Sequence, residues 1–428
     1  MLEVLEIING VLGILFTMCY FFQLLYLIIP FIIKLPPHKE TKLHKIAVIS
    51  CGRNEEAVIG DLIDRIAAQD YPKELITMVV VADNCTDNTA AVAKEHGAIV
   101  YERISKTQVG KGYALDFALK KLDEDFGEDA FDAFIVFDAD NIPMPNYVTE
   151  INKTFSDGYR VVTSYRNSKN YGDGWRAAAS GLWFLREAKY LNGSRMRIGA
   201  CPQCTGTGFL FSNSIRKENG GWPFHTLTED YEFTCNSVIK GERFGYCEEA
   251  MFYDHQVSGL RQSWNQKLRW TKGGLQGFLI YWKALLRGIF SKKFVACYDM
   301  LFSLAPAYIL SLAACIINSV GAVALLATGE HPLFVFLYIG KMVLGAYLIL
   351  LLQSFVTTLT EWRKIKANPF KKFIYIFTFP LYVFTFVPCC FVALFKRVEW
   401  KEIRHTQNAD SSKLISESSD EGEDKTDK

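Results

Sequence analysis

The sequence predicts an α/β domain with a mostly parallel sheet, held between membrane-crossing helices. Short apolar runs alternate with stretches of helical spacing between residues 45 and 272, the pattern of a parallel sheet covered by helices on both faces. Long uncharged runs lie on either side of this region. The net charge of +1, without a clustered basic and aromatic face, argues against a nucleic-acid partner.

The N-terminal run from Ile7 to Ile33 contains no charged side chain. It exceeds the roughly 20 helical residues needed to cross a hydrocarbon core of about 30 Å. A cleaved signal peptide has a basic start and a shorter apolar stretch, whereas this chain begins with Glu3 and Glu6. We therefore predict that residues 1–35 form a retained membrane helix.

Three more apolar runs lie within residues 295–398, at 300–328, 333–360 and 373–395. Lysines and arginines follow the first helix and separate the last two runs, which marks these segments as cytoplasmic. The pattern predicts a multi-pass cell-membrane protein whose residues 34–294 are cytoplasmic. Because basic pairs flank the last run on both sides and Pro380 and Pro388 interrupt it, we predict a broken or re-entrant segment; a single crossing is the alternative.

Predicted strands and helices alternate through the first part of the central domain. The apolar residues are continuous in the strands and spaced by three or four in the helices. The strands are Ile46–Ser50, Thr77–Ala82, Ala98–Tyr101 and Ala133–Phe137, and the helices are Glu55–Ala68, Thr89–His96 and Tyr113–Leu122. Ligands bind beyond the carboxyl ends of the strands in sheets of this kind.

Polar residues lie in the loops at these strand ends and should meet at one edge of the sheet. They are Asn54, Glu55, Asp83, Lys111, Asp138 and Asp140. Because alternate residues of an extended chain point the same way, Asp138 and Asp140 are placed to bind one divalent cation. The alternative is that Asp138 caps the next helix and Asp140 is a turn residue.

Two later stretches complete a recognisable set. They read Thr228-Glu229-Asp230 and Gln266-x-x-Arg269-Trp270. Alone, the first fits a helix cap with an acidic first turn, and the tryptophan of the second fits a core aromatic.

Taken in order and spacing with Asn54-Glu55, Asp83 and Asp138-x-Asp140, these motifs resemble the family 2 glycosyltransferases, which include the synthases of cellulose, chitin, hyaluronan and poly-N-acetylglucosamine. The resemblance implies a GT-A fold for residues 45–272 and inverting transfer from a UDP-sugar, with UDP-GlcNAc or UDP-glucose favoured.

The resemblance also implies residue roles. Asp83 and Glu55 would hold the uridine, with Asn54 counted among the substrate-binding residues, and Lys111 would lie near the diphosphate. Asp138 and Asp140 would bind Mg²⁺ or Mn²⁺. Asp230 would be the general base, and the substrate-binding set would include Glu229, Gln266, Arg269 at the diphosphate and Trp270 against a sugar ring. The family's usual Asp-Asp-Gly after the second strand is Ala82-Asp83-Asn84 here, so one acid that the resemblance would place near the base or ribose is missing.

Several segments beyond these motifs carry further predictions. Gly206–Gly208 and Gly220–Pro223 resemble family segments lining the acceptor pocket; turns without a ligand role are the alternative. Residues 273–294 are predicted as an amphipathic helix in the membrane interface, rather than a linker helix, and its apolar face holds Phe278, Trp282, Leu285 and Ile289. Residues 399–406 resemble the family's gating segment, and 407–428 are expected to form a disordered acidic tail.

Eleven cysteines are present, and Cys201 and Cys204 have zinc-like spacing. A structural zinc site needs a second pair at similar spacing, which the sequence lacks, so free thiols are expected.

The predicted function is extension of a β-linked polysaccharide at the membrane. The partners would be a UDP-sugar, a growing polysaccharide or lipid-linked acceptor, and the lipid bilayer. The alternatives are transfer of a single sugar to a lipid and a catalytically inactive sugar-nucleotide-binding scaffold; intact Asp138, Asp140, Asp230 and Arg269 favour an enzyme. The oligomeric state is not predicted.

Overall fold

The computed structural model describes residues 2–304 and 306–398. The predicted gating segment at 399–406, with Trp400, and the predicted tail at 407–428 lie outside the described residues.

Eight strands and seventeen α-helices make up the described chain. The strands are β1 (Ile46–Gly52), β2 (Ile76–Asp83), β3 (Ile99–Arg103), β4 (Ala133–Phe137), β5 (Ile142–Pro143), β6 (Val161–Ser168), β7 (Phe209–Ser212) and β8 (Phe244–Asp254). The helices are α1 (Leu2–Leu25), α2 (Ile29–Ile32), α3 (Ile59–Ala67), α4 (Thr89–Glu95), α5 (Lys111–Phe126), α6 (Tyr147–Ser156), α7 (Trp175–Arg186), α8 (Gly193–Ile198), α9 (Asn213–Glu218), α10 (Glu229–Lys240), α11 (Leu260–Ile289), α12 (Phe294–Ser303), α13 (Pro306–Ala327), α14 (Pro332–Thr360), α15 (Pro369–Ile376), α16 (Phe379–Phe384) and α17 (Phe386–Phe395).

All eight strands form one mixed sheet, in the order β3-β2-β1-β4-β7-β6-β8-β5. The pairings of β1 with β2 and β4, of β2 with β3, and of β6 with β8 are parallel, whereas β7 is antiparallel to both of its neighbours. Six strands therefore run the same way, and β1, β2, β4 and β8 end at one edge. Both faces are covered, and alternate residues of β1 pack on opposite sides: Ala47 and Ile49 lie in one core cluster and Ile46 and Val48 in another.

The four predicted strands and three predicted helices are all present, and the α/β fold class is confirmed. The largest shifts are of four residues: the first helix starts at Ile59 where Glu55 was predicted, and the third ends at Phe126 where Leu122 was predicted. The backbone N–H of Glu55 donates to Thr89 Oγ1, 2.8 Å away, so this residue belongs to the loop between β1 and α3.

The amphipathic segment differs from its prediction in two ways. The boundary predicted between residues 272 and 273 falls inside a single 30-residue helix, α11. The apolar face predicted to enter the membrane instead packs on the domain's own core, where Leu285 is fully buried. A buried side chain of this size contributes about 1.5–3 kcal/mol, which favours this packing. From residue 273 onward the exposed large apolar residues of α11 are Leu279, Ile280 and Leu286, so the location of this segment at a membrane interface stays a prediction that rests on these residues.

Three helical segments are long and apolar enough to cross a membrane among the residues described, namely Leu2–Ile32, Ile309–Ala327 and Pro332–Thr360. The two spans α13 and α14 contact α1 through a polar cluster, in which Asn9 bonds Asn318 at 2.9 Å and the Tyr338 hydroxyl at 3.0 Å. Hydrogen bonds of this kind join helices where lipid offers no polar partner.

The last apolar run, residues 373–395, is interrupted, as we predicted from its two prolines. Pro369–Ile376 and Phe379–Phe395 meet at a bend of 48°, and Pro380 lies in the first turn after it. A fourth span results if this bent pair crosses the membrane. Lys267 and Lys272 of α11 donate to Thr385 Oγ1 (2.5 Å) and to the Ala393 carbonyl (2.8 Å), so α17 lies along the helix that carries Arg269 and Trp270.

Candidate active site

One cavity of about 270 Å³ lies at the carboxyl ends of the strands. Ten of the eleven residues predicted to form the site line it: Glu55, Asp83, Lys111, Asp138, Asp140, Glu229, Asp230, Gln266, Arg269 and Trp270. The predicted convergence of these residues at one sheet edge is therefore seen in the structure. Gly206 also lines the cavity, whereas the Gly220–Pro223 segment forms a turn whose Trp222 is buried in the core.

Asn54 is the predicted site residue that does not line the cavity. Its backbone is left-handed, with φ of 57°, and its side-chain oxygen accepts from Thr86 N at 2.8 Å. Asn54 therefore holds the loop after β2 in place, and its predicted contact with substrate stays a prediction.

Asp83 ends β2 between two arginines. Its carboxylate accepts from Arg103 at 2.6 Å and from Arg53 at 3.0 Å, and it is 7% exposed. The two arginines fix the carboxylate at the cavity wall, where its remaining lone pairs can accept an N–H or O–H of a nucleoside. Arg103 was not predicted, because its place beside Asp83 depends on the pairing of β2 with β3.

Lys111 begins α5 and reaches across to the end of β4. Its ammonium is ion-paired with Asp138 and donates to the Gly206 carbonyl at 2.7 Å. Burial alone would lower the pKa of Lys111, but the charges of Asp138 and Glu229 outweigh it and raise that pKa. A fixed cation at this point suits the diphosphate of a sugar nucleotide.

Asp140 is 3% exposed, and its Oδ2 accepts from the backbone N–H of His255 at 3.3 Å. Asp254, which ends β8, lies beside it and accepts from Asn141 at 2.9 Å. Asp254 and His255 both line the cavity and were missed in the sequence, since β8 joins this edge from a distant part of the chain.

The donor set fits a divalent cation that is partly ligated by substrate. No cluster of three or more His, Cys, Asp or Glu residues within the described ranges is arranged to hold a metal alone. Two carboxylates at the cavity do match Mg²⁺, which commonly takes one or two protein carboxylates and completes its shell with water and phosphate oxygens. The ammonium of Lys111 on Asp138 shows that this carboxylate attracts a cation.

Glu229 and Asp230 form the first turn of α10, and both are about 8% exposed. Burial raises the pKa of Asp230 to about 6, against the opposing effects of the Tyr231 N–H and Arg269. Burial and the charge of Asp230 raise the pKa of Glu229 to about 7. A carboxylate with a pKa near neutrality is well matched to accepting a proton from a hydroxyl.

Helix α11 brings Gln266, Arg269 and Trp270 to the same cavity. Arg269 donates to the Leu227 carbonyl at 3.2 Å, just before the Thr228–Asp230 motif. Trp270 meets Phe184 edge-on, with 5.8 Å between ring centroids. Trp270 is thus both a packing residue and a wall of the cavity.

The side chain of Thr228, just before α10, packs directly on the α11 backbone at Gly273. A Cβ placed at Gly273 would lie 2.4 Å from Thr228 Oγ1, and at Gly277 a Cβ would meet Leu304 at an ordinary 3.7 Å. Gly273 therefore sets how closely the Arg269 helix packs against the Asp230 motif.

We expect Gly273→Ala to lower kcat about tenfold while donor affinity stays near the parental value. The added methyl overpacks a contact, at a typical cost of about 1–3 kcal/mol, and shifts Thr228 and with it Asp230. Steady-state kinetics would measure both constants, with Gly277→Ala as the matched control in the same helix. Parental kcat in Gly273→Ala would show that the position of Asp230 does not depend on this contact.

The cavity continues to residues that the sequence did not mark. They are Trp183, Phe184, Glu187, Ser303, Leu304 and Phe386. Ser303 and Leu304 end α12, five residues before the candidate span that begins at Ile309. One cavity thus extends from the carboxylates at the sheet edge to residues just before a candidate membrane span.

The eleven cysteines, all of them within the described chain, are free thiols, as predicted. Cys201 and Cys204 are buried, and burial raises the pKa of Cys201 to about 12, so these two thiols belong to the core.

Known proteins support the fold and the family. The solved structure of a mannosyltransferase from Pyrobaculum calidifontis, in complex with GDP-Man and Mn²⁺, aligns with 91% of this chain and 99% of its own, with a TM-score of 0.60 and 18% identity. At this identity the likeness establishes the fold alone.

Curated relatives are similar over part of their length. A β-monoglucosyldiacylglycerol synthase of Nostoc sp. is 26% identical over 285 residues, covering 63% of this chain and 57% of the relative. A poly-β-1,6-N-acetyl-D-glucosamine synthase of Staphylococcus aureus is 25% identical over 298 residues, covering 65% and 66%. The chain therefore spans little more than half the length of the glucosyldiacylglycerol synthases it matches.

The sequence profile described as Glycosyltransferase like family 2 matches residues 44–273, which is more than half of the chain and contains the sheet and all the motifs that line the cavity. The chain is therefore a glycosyltransferase with a GT-A-type fold and belongs to family 2.

Proposed function

We propose that this enzyme transfers one hexose from a UDP-sugar to a hydroxyl of a lipid acceptor at the membrane, with inversion at the anomeric carbon. The observation that carries the proposal is the single cavity joining Asp138 and Asp230 to Leu304, at the foot of the membrane span. UDP-glucose and UDP-GlcNAc are the favoured donors.

The chain's own residues account for each part of the reaction. Glu55 and Asp83 bind the nucleoside, and Lys111 and Arg269 bind the diphosphate. The acceptor oxygen forms a bond to the anomeric carbon while that carbon's bond to the diphosphate breaks, and UDP leaves with the electron pair. Asp230 takes the acceptor proton, which is the step that a base with a raised pKa performs near neutral pH.

Asp138 and Asp140 would hold a divalent cation, either Mg²⁺ or Mn²⁺. A cation bound there would neutralise the charge that develops on the diphosphate. Lys111 contributes a second, permanent positive charge at the same end of the cavity.

The candidate membrane helices bury few of their residues against the rest of the protein, which favours a lipid acceptor over the polysaccharide expected from the sequence. Protein buries 17%, 11% and 6% of the apolar stretches of the three candidate spans, so most of their surface is left for lipid. A polymer channel needs helices that face inward on a shared lumen. Polysaccharide extension remains the second candidate, favoured by the Gln266-x-x-Arg269-Trp270 motif and by similarity to the poly-N-acetylglucosamine synthase.

Product size separates the two candidates. Purified enzyme in lipid vesicles would be incubated with a labelled UDP-sugar, and the product extracted and sized. A single hexose on an organic-soluble lipid is the expected product. A water-soluble polymer would establish the second candidate, and the absence of both product and UDP release would leave an inactive scaffold.

We expect kcat to rise with pH through a value near 6, because Asp230 accepts a proton only when it is ionised and burial raises its pKa to about 6. Below that pH the carboxyl is protonated and the base is lost. Burial and the charge of Asp230 raise the pKa of the adjacent Glu229 to about 7, so Glu229 is mostly protonated while Asp230 ionises, and Glu229→Gln should leave the acidic limb near pH 6. Rates at saturating donor and acceptor would measure the acidic limb of the parent and of Glu229→Gln. A kcat constant across pH 6 in the parent would contradict the base assignment.

We propose a cell-membrane location with the catalytic domain and the C-terminus both cytoplasmic, because the bent segment α15–α17 returns along α11. A cysteine introduced at Ser412 should then resist an impermeant thiol reagent in intact cells and react after lysis, in a variant lacking Cys315, the exposed native thiol. Efficient labelling in intact cells would instead show that the last segment crosses the membrane once.

A further inference from the structure

Glu187 is a buried carboxylate in the cavity that no step described above uses. It follows the last residue of α7 and opens a π-helical turn, Glu187–Asn192. It is 6% exposed and lines the cavity together with Trp183, one turn earlier on the same helical face. Short π-helical turns inside α-helices occur frequently at functional sites.

Two of the three positive charges near Glu187 are paired with other carboxylates, and the third, on Arg186, lies beside Glu187 itself. Arg195 is ion-paired with Asp299 at 2.6 Å, and Arg166 with Asp254 at 2.5 Å. Arg186, the preceding residue, is the third nearby cation, and its guanidinium donates to the Gln23 side chain at 2.9 Å. This part of the cavity therefore has no excess of positive charge to receive a phosphate.

Aromatic rings form the walls beside this carboxylate. Trp183 stacks on Phe386 with 5.4 Å between ring centroids, and Phe184 meets Trp270 edge-on. Burial raises the pKa of Glu187, and the surrounding arginines and the nearby Trp183 side chain partly offset this effect. Flat apolar walls with one fixed acceptor suit a ligand that has a carbon face and hydroxyl donors.

We propose that Glu187 binds the acceptor's headgroup and selects an uncharged lipid with at least two hydroxyls. This inference rests on the proposed lipid acceptor and names its chemical class. One hydroxyl donates to Glu187, and a second hydroxyl of the same headgroup loses its proton to Asp230 as it attacks the sugar. A phosphate on the headgroup is repelled by the carboxylate.

Two acceptors of matched chain length test the selection directly. Vesicles of phosphatidylcholine would carry either monooleoylglycerol, with two neighbouring hydroxyls, or oleoyl lysophosphatidic acid, in which a phosphate replaces one of them. The parent enzyme should glycosylate monooleoylglycerol with kcat/KM at least about tenfold higher. Equal or better use of lysophosphatidic acid would overturn the proposal.

Substitution of Glu187 tests the residue itself. Glu187→Gln should raise KM for monooleoylglycerol about tenfold or more, because a charged acceptor of a buried hydrogen bond is lost, while donor Kd and acceptor-free UDP release stay parental. Glu187→Asp should recover part of the loss, and the exposed Glu249→Gln is the charge-matched control. An unchanged KM in Glu187→Gln would refute the assignment.

Measurements on the parent keep the two proposals apart. Failure of the parent to bind any UDP-sugar would remove the proposed function as a whole. Donor binding and UDP release without transfer to either lipid would overturn the Glu187 assignment alone.

Discussion

Asp230→Asn should lower kcat by about 10²–10⁴-fold while UDP-sugar affinity changes little, because the base acts on the acceptor hydroxyl and the donor is held by other residues. The amide keeps the size of the side chain but cannot take a proton at neutral pH. Gly206 and Arg269 lie close to the Asp230 carboxylate, so the amide of Asp230→Asn would have the same neighbours. Donor titration and turnover on one preparation would separate the two effects.

Two further measurements make the Asp230 result decisive. Asp129→Asn removes an exposed carboxylate and should leave turnover at the parental rate. Thermal unfolding of Asp230→Asn reports whether its helix start is intact. Loss of donor binding together with a lower Tm would support a helix-capping role, and turnover near that of the parent would end the base assignment.

Chelation should abolish turnover, and Mg²⁺ or Mn²⁺ should restore it, because charge developing on the departing diphosphate needs a cation at Asp138 and Asp140. Asp140→Asn should weaken donor binding at least about tenfold when metal is present, which corresponds to about 1.4 kcal/mol. Without metal, the variant and the parent should bind the donor equally, since the carboxylate then has no cation to share with the diphosphate.

Comparing the two conditions distinguishes a metal ligand from a structural acid. A variant that binds the donor weakly with and without metal would show that Asp140 acts through its bond to the His255 backbone instead. Full turnover in excess chelator would falsify the metal assignment. Lys111→Met is a useful comparison for Asp140→Asn, because loss of the Lys111 charge should weaken donor binding both with and without metal.

The donor end of the site was predictable from the sequence because its signals are local. Asp138 and Asp140 follow an apolar strand that ends at the sheet edge, which is enough to place them there. The extended chain predicted for them is wrong, because β4 ends before Asp138 and the Asn141 N–H donates to the Asp138 carbonyl at 3.1 Å in a turn. Asn54 shows the limit of that reasoning. Its left-handed backbone turns the side chain toward Thr86, and no local pattern in the sequence reveals that direction.

The acceptor end depends on contacts between distant segments. Trp183 and Phe386 stack although 203 residues separate them, and neither belongs to a motif. The apolar face of α11 illustrates the same difficulty. Its spacing of Phe278, Trp282 and Leu285 predicts an apolar surface but does not say whether lipid or the protein's own core covers it.

The stereochemistry of the transferred sugar tests the central proposal most directly. An α-linked UDP-sugar and a lipid acceptor would be incubated with purified enzyme, and NMR of the extracted product would give the anomeric configuration. In-line attack with Asp230 as the base and UDP leaving from the opposite side predicts a single β-linked hexose. An α-linked product would contradict direct displacement, and with it the role of Asp230 and the arrangement of donor and acceptor in this cavity.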